Sequence, residues 1–267
     1  MTSWEFPVTD PIDLFVKVAA GSVSITAKPT EIVTVDVVPA NGRGDAQDVH
    51  VEYADGRLEV VEEPMTGSRR HHAGNDLAIT IPLRSRCTVR TASAGVSCDG
   101  DLGSLDVKTA SGDIGAGVVT GPVQLNTASG RIQLDEAAND VTVHSASGQV
   151  RLRQVGGDIS ATTASGDLRI GAAAASVTAQ SASGRIRIAS LARGDASLTS
   201  VSGNIEVAVA AGTNVYLDLS SLSGRVSSEL GPAEQQVGDA SLRLHCRSVS
   251  GAVRVARAGS ADAVDAA

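Results

Sequence analysis

Apolar and polar residues alternate along this chain in short bursts. Val123-Gln124-Leu125-Asn126 is followed by Ile132-Gln133-Leu134-Asp135, and Val141-Thr142-Val143-His144 by Val150-Arg151-Leu152-Arg153. Period-two alternation over so few residues predicts short strands with one buried face. Between the bursts one phrase returns: Thr109-Ala110-Ser111-Gly112, Thr127-Ala128-Ser129-Gly130, Ser145-Ala146-Ser147-Gly148, Thr163-Ala164-Ser165-Gly166 and Ser181-Ala182-Ser183-Gly184. It loosens to Ser200-Val201-Ser202-Gly203, Ser221-Leu222-Ser223-Gly224 and Ser248-Val249-Ser250-Gly251. From Ser93 the phrase serine recurs at five steps of 18 residues and then at 19, 21 and 27.

A fixed short period marks a repeat architecture in which each unit buries its apolar face only by stacking on its neighbours. The expected fold is therefore all-β, a single-stranded parallel β-helix with about 18 residues and two short strands per coil. One corner is the phrase itself, where Gly112, Gly130, Gly148, Gly166, Gly184, Gly203, Gly224 and Gly251 supply a backbone shape that a Cβ would forbid and serine bonds locally to the backbone. The other corner is read at Gly156-Gly157-Asp158 and Gly171-Ala172-Ala173. Propeller blades and leucine-rich repeats run at longer periods. Membrane barrels need longer strands and aromatic girdles, whereas Phe, Trp and Tyr make up 2% of this chain. A narrow interior filled by Val, Ile, Leu and Ala accounts for that poverty.

Residues 1–88 read as diverged N-terminal coils, including Leu14–Val18, Gly21–Ile25, Ile32–Val37 and Asp55–Val60, with loop insertions at 39–48 and 63–75. Residues 89–256 carry the regular repeats, with an excursion at 229–239. Residues 257–267 read as a disordered tail. Ala94 stands where later phrases have glycine. Toward the C-terminus the second residue of the phrase grows from Ala to Val201, Leu222 and Val249, which broadens the interior if that side chain points inward.

With 267 residues, 42% hydrophobic and 19% charged, the composition is that of a folded, water-soluble protein. A net charge of −8 argues against nucleic acid as the main partner, since phosphate-backbone binding needs a basic face. Met1–Pro7 shows neither a basic region nor an apolar one of secretory type, and no run of about 18 apolar residues occurs, so the expected compartment is cytoplasmic and no membrane insertion is expected. Cys87, Cys98 and Cys246 form no C-x-x-C pair. Cys87 and Cys98 share alternation phase with Val89 and Val96 and read as small core residues.

The array Ser/Thr-Ala-Ser-Gly-x-[Ile/Val/Leu]-x-[Leu/Ile/Val], over about Leu14 to Val255, resembles the bacterial "putative adhesin" β-strand-repeat family, domain of unknown function 4097. The resemblance implies a parallel β-helix, a bacterial origin and an adhesin-like role. It brings no catalytic or ligand residues with it.

Outward positions after each phrase form two columns. The nearer runs Asp113, Arg131, Gln149, Asp167, Arg185, Asn204, Arg225, and the farther Gln133, Arg151, Arg169, Arg187, Glu206, Ser227. Stacked guanidinium groups repel, and a bound anion relieves that repulsion. Arg151, Arg169 and Arg187, with Arg131 and Arg185 beside them, are thus the candidate binding strip for a protein, polysaccharide or other polyanion. The plainer alternative is that these side chains splay into solvent, neutralised by Asp167 and Glu206. The opposite strands present a hydroxyl and amide face: Gln124, Thr142, Ser160, Thr178 and Ser197 beside Asn126, His144, Thr162, Gln180 and Thr199. Arg69-Arg70-His71-His72 reads as part of a loop, and Gly112–Gly117 lacks the helix that a phosphate loop needs. No triad or acidic pair stands out, so no enzyme, cofactor or metal is expected. The expected function is a non-catalytic, adhesin-like scaffold, monomeric or weakly dimeric. The alternative is a cytoplasmic structural protein whose end coils pair into a filament.

Overall fold

The computed structural model describes residues 2–39, 49–62, 74–230 and 241–259. The stretches 40–48, 63–73, 231–240 and 260–267, which hold most of the expected excursions, the Arg69–His72 run and most of the tail, lie outside the described residues. Every regular element described is a strand, and no helix is long and apolar enough to cross a membrane among those residues. The chain forms two compact units, Met1–Ala137 and Ala138–Ala267.

Unit 1 holds β1 (Thr2–Pro7), β2 (Asp13–Val18), β3 (Gly21–Ala27), β4 (Ile32–Pro39), β5 (Val49–Ala54), β6 (Arg57–Glu62), β7 (Asn75–Ile81), β8 (Arg86–Thr91), β9 (Gly95–Leu102), β10 (Ser104–Thr109), β11 (Ile114–Val119), β12 (Val123–Thr127) and β13 (Ile132–Ala137). The strands form two sheets, ordered β1-β4-β7-β3-β9-β11-β13 and β12-β10-β8-β2-β6-β5, and from β6 onward successive strands alternate between them. Within the repeat, residues eighteen apart stand side by side in parallel: Leu105 beside Val123, Val107 beside Leu125, Ile114 beside Ile132. Alternation then aims Val107, Leu125, Ile114, Ile132 and Leu134 into one core, where each is at most 1% exposed. Burying each such side chain stabilises the fold by roughly 1.5–3 kcal/mol. All five aromatic residues stay out of that core. Trp4, Phe6, Phe15 and Tyr53 lie half-buried in the N-terminal strands and Tyr216 is exposed.

Stacking does not follow chain order at the beginning of unit 1. The first coil, β2 and β3, sits between the coil of β8 and β9 on one side and β6 and β7 on the other. Outside it the strands turn antiparallel: β4 against β7 and β1, and β5 against β6. Ile32–Val37 is therefore an antiparallel cover strand rather than a further coil. Its alternation is the same in either direction, so pattern alone does not reveal strand polarity. The β5–β6 turn, Asp55-Gly56, has both residues at positive φ, 51° and 75°, as a two-residue hairpin loop of this kind requires.

Unit 2 holds β14 (Val141–Ser145), β15 (Val150–Val155), β16 (Ile159–Thr163), β17 (Leu168–Ala173), β18 (Val177–Ser181), β19 (Ile186–Leu191), β20 (Gly194–Ser200), β21 (Ile205–Val209), β22 (Asn214–Ser221), β23 (Val226–Ser228), β24 (Ser241–Ser248) and β25 (Val253–Arg257). The sheets run β15-β17-β19-β21-β25-β23 and β22-β24-β20-β18-β16-β14. Gly171-Ala172-Ala173 lies within β17, so the second corner falls one step later than its glycine suggested. The final coil, β24 and β25, is inserted between β20/β21 and β22/β23. Its apolar face is complete, with Leu242, Leu244, Cys246, Val253 and Val255 all at most 1% exposed. The β22/β23 coil leaves Val226 41% exposed and takes the outer place, where among the described residues one of its sides has no strand neighbour. The widening interior is also corrected: the second residue of each phrase faces outward, Leu222 at 84% and Val201 and Val249 at about half exposure.

Candidate functional site

The phrase corner is a packing device. In unit 1 the amides of Gly112 and Gly130 donate to Thr109 and Thr127 Oγ1 at 3.0 and 2.9 Å. In unit 2 Gly148, Gly184, Gly203, Gly224 and Gly251 donate in the same way to Ser145, Ser181, Ser200, Ser221 and Ser248. The bonding hydroxyl is thus the first residue of the phrase, which is buried except at the half-buried Ser221, whereas the third-position serines are exposed. Thr163 Oγ1, before Gly166, is buried without a partner. None of these glycines has positive φ. Gly112, Gly130, Gly166, Gly184, Gly203, Gly224 and Gly251 are required because a Cβ would lie 1.9–2.0 Å from a carbonyl oxygen of the neighbouring coil, as Gly130 against Gly112 or Gly184 against Gly166. Ala94, at the matching corner, is fully buried, and its carbonyl oxygen receives the approach of Gly112.

Acidic side chains lock the corners further. Asp113 Oδ1 accepts the Arg131 amide at 2.7 Å and Asp167 Oδ1 the Arg185 amide at 3.0 Å. At the other corner Asp140 Oδ1 accepts from the Asp158 amide and Asp158 Oδ1 from the Ser176 amide.

Above this frame, in unit 2, Arg169 is the register partner of both Arg151 and Arg187 on the outer face of β15, β17 and β19. Arg187 pairs in register with Glu206, and Glu206 with Arg254 of the inserted coil, not with Ser227. The column therefore gains a fourth arginine that linear spacing hid. Its ion pairs are long and half-exposed: Arg169 Nη2 lies 3.9 Å from Asp167 Oδ2, and Arg187 and Arg185 Nε lie 3.9 and 3.8 Å from the Glu206 carboxylate. Such exposed pairs contribute at most about 1 kcal/mol each. Arg151 has no ion pair among the described residues. Arg254 is held by Glu229 at 2.7 Å. Beside the column runs a shallow groove of about 190 Å³, bordered by Arg187, Glu206 and Arg254 and floored by Ala189, Ala208 and Ala256. Arg131 belongs to unit 1, where it is exposed.

On the opposite sheet of unit 2, Thr142, Ser160, Thr178 and Ser197 stand in register, as do His144, Thr162, Gln180 and Thr199. The same register continues into His245 and Asp218, whose Nδ1 and Oδ2 lie 3.1 Å apart. Unit 1 carries a cation column that sequence reasoning missed: Lys17, Arg90 and Lys108 occupy neighbouring rungs. Lys17 arrives there from 73 residues upstream, so no periodicity could reveal it. Arg90 is tied down by the Asp106 carboxylate and by the Val89 and Asp106 carbonyls, both at 3.1 Å.

Cys87, Cys98 and Cys246 are free and buried. Burial pushes the Cys98 and Cys246 thiols up from 9.0 to about 12, and Cys87 well above 9.0. Such thiols pack as small hydrophobes and do not attack. Among the described residues no group of His, Cys, Asp and Glu is placed to hold a metal ion.

Two sheets of short parallel strands, stacked rung on rung over a slim aliphatic core, define a β-solenoid repeat protein. The chain belongs to the Toastrack DUF4097 family, whose profile matches residues 12–258. No curated protein matches the sequence. Similar solved structures include a "putative adhesin" from Parabacteroides merdae, 13% identical with a TM-score of 0.51 over 95% of each chain. Another "putative adhesin", from Bacteroides fragilis, is 14% identical with a TM-score of 0.46, covering 95% of this chain and 96% of that one. A "putative lipid binding protein" from Parabacteroides distasonis is 13% identical with a TM-score of 0.49, again over 95% and 96%. At 13% identity the likeness to the Parabacteroides merdae structure speaks for the fold alone.

Proposed function

We propose that this protein is a non-catalytic, adhesin-like binding module, whose arginine column on β15, β17 and β19 recognises a repeating anionic polymer such as an acidic polysaccharide. The observation that carries this reading is the register of Arg169 with both Arg151 and Arg187. It sets three guanidinium-bearing residues on successive rungs, about 4.8 Å apart at the backbone. Like charges at that distance repel by roughly 1 kcal/mol in water and more beside a low-dielectric surface. A polymer carrying carboxylate or sulfate at each step relieves the repulsion and matches the planar fork of each guanidinium. The adhesin description of the Parabacteroides merdae structure agrees with a binding role.

The test is retention on a heparin resin at low salt. The parent is expected to bind and to elute with rising salt, and the triple variant Arg151→Gln, Arg169→Gln, Arg187→Gln to flow through with an unchanged unfolding midpoint. A parent that does not bind, or a triple variant that elutes with it, refutes the reading.

A further inference from the structure

A separate cleft in unit 1 combines a cavity with convergent polar groups. It lies at the corner where β2, β8 and β10 begin, has a volume of about 330 Å³, and is lined among others by Pro11, Pro122, Gly103, Asp13, Arg84 and Arg86. That volume reaches the lower end of the range for small-molecule sites, about 300–1,000 Å³. Its walls are fixed by backbone bonding. Buried Ser85 donates its hydroxyl to the Pro82 carbonyl at 2.8 Å and accepts the Ile12 amide at 3.1 Å. The Ile12 carbonyl in turn accepts the Arg86 amide at 2.9 Å. Gly103 lets the next coil approach closely, since a Cβ there would sit 2.2 Å from the Arg84 carbonyl oxygen.

Arg84 has a φ of 61°, in the left-handed region that a side chain rarely adopts. Only one other described residue besides glycine shares that region, Asp55, and it sits in the hairpin turn that demands it. Arg84 likewise sits in a tight turn, Leu83-Arg84, between Pro82 and Ser85. Its amide donates to the Asp101 carbonyl at 2.8 Å, which holds the backbone in place at the cleft mouth.

Charge narrows the ligand. Arg84 Nε is 3.8 Å from Asp101 Oδ2, and Arg86 Nη1 is 3.3 Å from Asp13 Oδ1. Each contact involves one nitrogen of a guanidinium that carries five N–H donors. Asp13 at the same mouth disfavours a dianion and offers an acceptor for hydroxyl hydrogens. We propose that this cleft binds a hydroxylated monocarboxylate of monosaccharide size, its carboxylate taken by Arg84 and Arg86 and a hydroxyl donating to Asp13.

The experiment is calorimetric titration of the full chain with sodium galacturonate, galactose and inorganic phosphate. Saturable binding of galacturonate is expected, with galactose and phosphate at least tenfold weaker. Arg84→Gly is expected to weaken galacturonate binding at least tenfold while its unfolding midpoint stays level or rises, because glycine relieves the left-handed strain. Arg86→Gln, which leaves the backbone alone, is expected to weaken binding equally and serves if Arg84→Gly does not fold. The triple variant at Arg151, Arg169 and Arg187 is expected to bind galacturonate as the parent does, which separates this site from the arginine column. Absence of binding by the parent, equal binding of galactose, tighter binding of phosphate, loss in the triple variant, or unchanged affinity of Arg86→Gln would each overturn the assignment.

Discussion

Thr127 Oγ1 accepts the amide hydrogen of Gly130 at 2.9 Å from a side chain that is itself 7% exposed. The bond closes the corner of the coil and satisfies a buried donor that no strand partner reaches, while the bare Cα of Gly130 lets it settle on the Gly112 carbonyl of the preceding coil. Repetition of this pair along each unit is what the recurring phrase encodes.

Thr127→Val keeps the shape and removes the acceptor, leaving the Gly130 amide buried and unpaired. The expected loss is about 1–3 kcal/mol in urea unfolding, with Thr127→Ser close to the parent. Gly130→Ala is expected to cost about 3 kcal/mol, since its Cβ would meet the Gly112 oxygen at 1.9 Å. If the alanine variant unfolds with the parent, close approach is not the reason for glycine there.

Asp158 works as a staple at the other corner, through its own amide at 2.9 Å to Asp140 and its Oδ1 at 3.0 Å from the Ser176 amide. Asp158→Ala should lower stability by about 1 kcal/mol. Asp158→Asn keeps an acceptor oxygen in place and should recover most of it. Equal losses for the two would show that charge, not the hydrogen bond, sets the effect.

The inserted final coil makes a cross-linking prediction. Glu206 and Arg254 are register partners, whereas Ser227 lies one rung beyond. Mild oxidation of Glu206→Cys with Arg254→Cys should give an intramolecular disulfide, because neighbouring parallel rungs fall within the Cα separation such a bond tolerates, about 4.4–6.8 Å. The pair Glu206→Cys with Ser227→Cys should stay reduced. The reverse result on a non-reducing gel would restore the linear order of coils.

Alkaline pH should weaken the fold. The Cys98 and Cys246 thiols are pushed up from 9.0 to about 12 by burial. A group whose pKa is higher folded than unfolded contributes stability that is fully present below the unfolded value. That contribution is lost as pH rises from 9 toward 12. Unfolding midpoints should fall over that interval and fall less in the variant Cys98→Ala, Cys246→Ala, measured against its own value at pH 7. Rapid labelling of native protein by a thiol reagent at neutral pH would contradict the burial of all three cysteines.

Much of this architecture could be read from the chain. Val107, Leu125 and Val143 alternate with polar residues, and a strict eighteen-residue step can bury such faces only by stacking like on like. That reasoning reached the strands, the parallel register of the regular coils, the core and the row Arg151, Arg169, Arg187. It missed the bonding role of the first phrase residue, because Thr109 and Ser111 both carry hydroxyls and only burial tells them apart.

Local pattern specifies which residues face inward, since alternation and turn chemistry act over a few neighbouring positions. It does not specify which coil lies beside which once the period breaks. Placement of Lys17 beside Arg90, of Arg254 between Glu206 and Ser227, and of Arg84 with Arg86 and Asp13 around one cleft was decided by long-range packing. At the C-terminal end the coil with the fuller apolar face, β24 and β25, takes the two-sided position, and β22 and β23 are left outside.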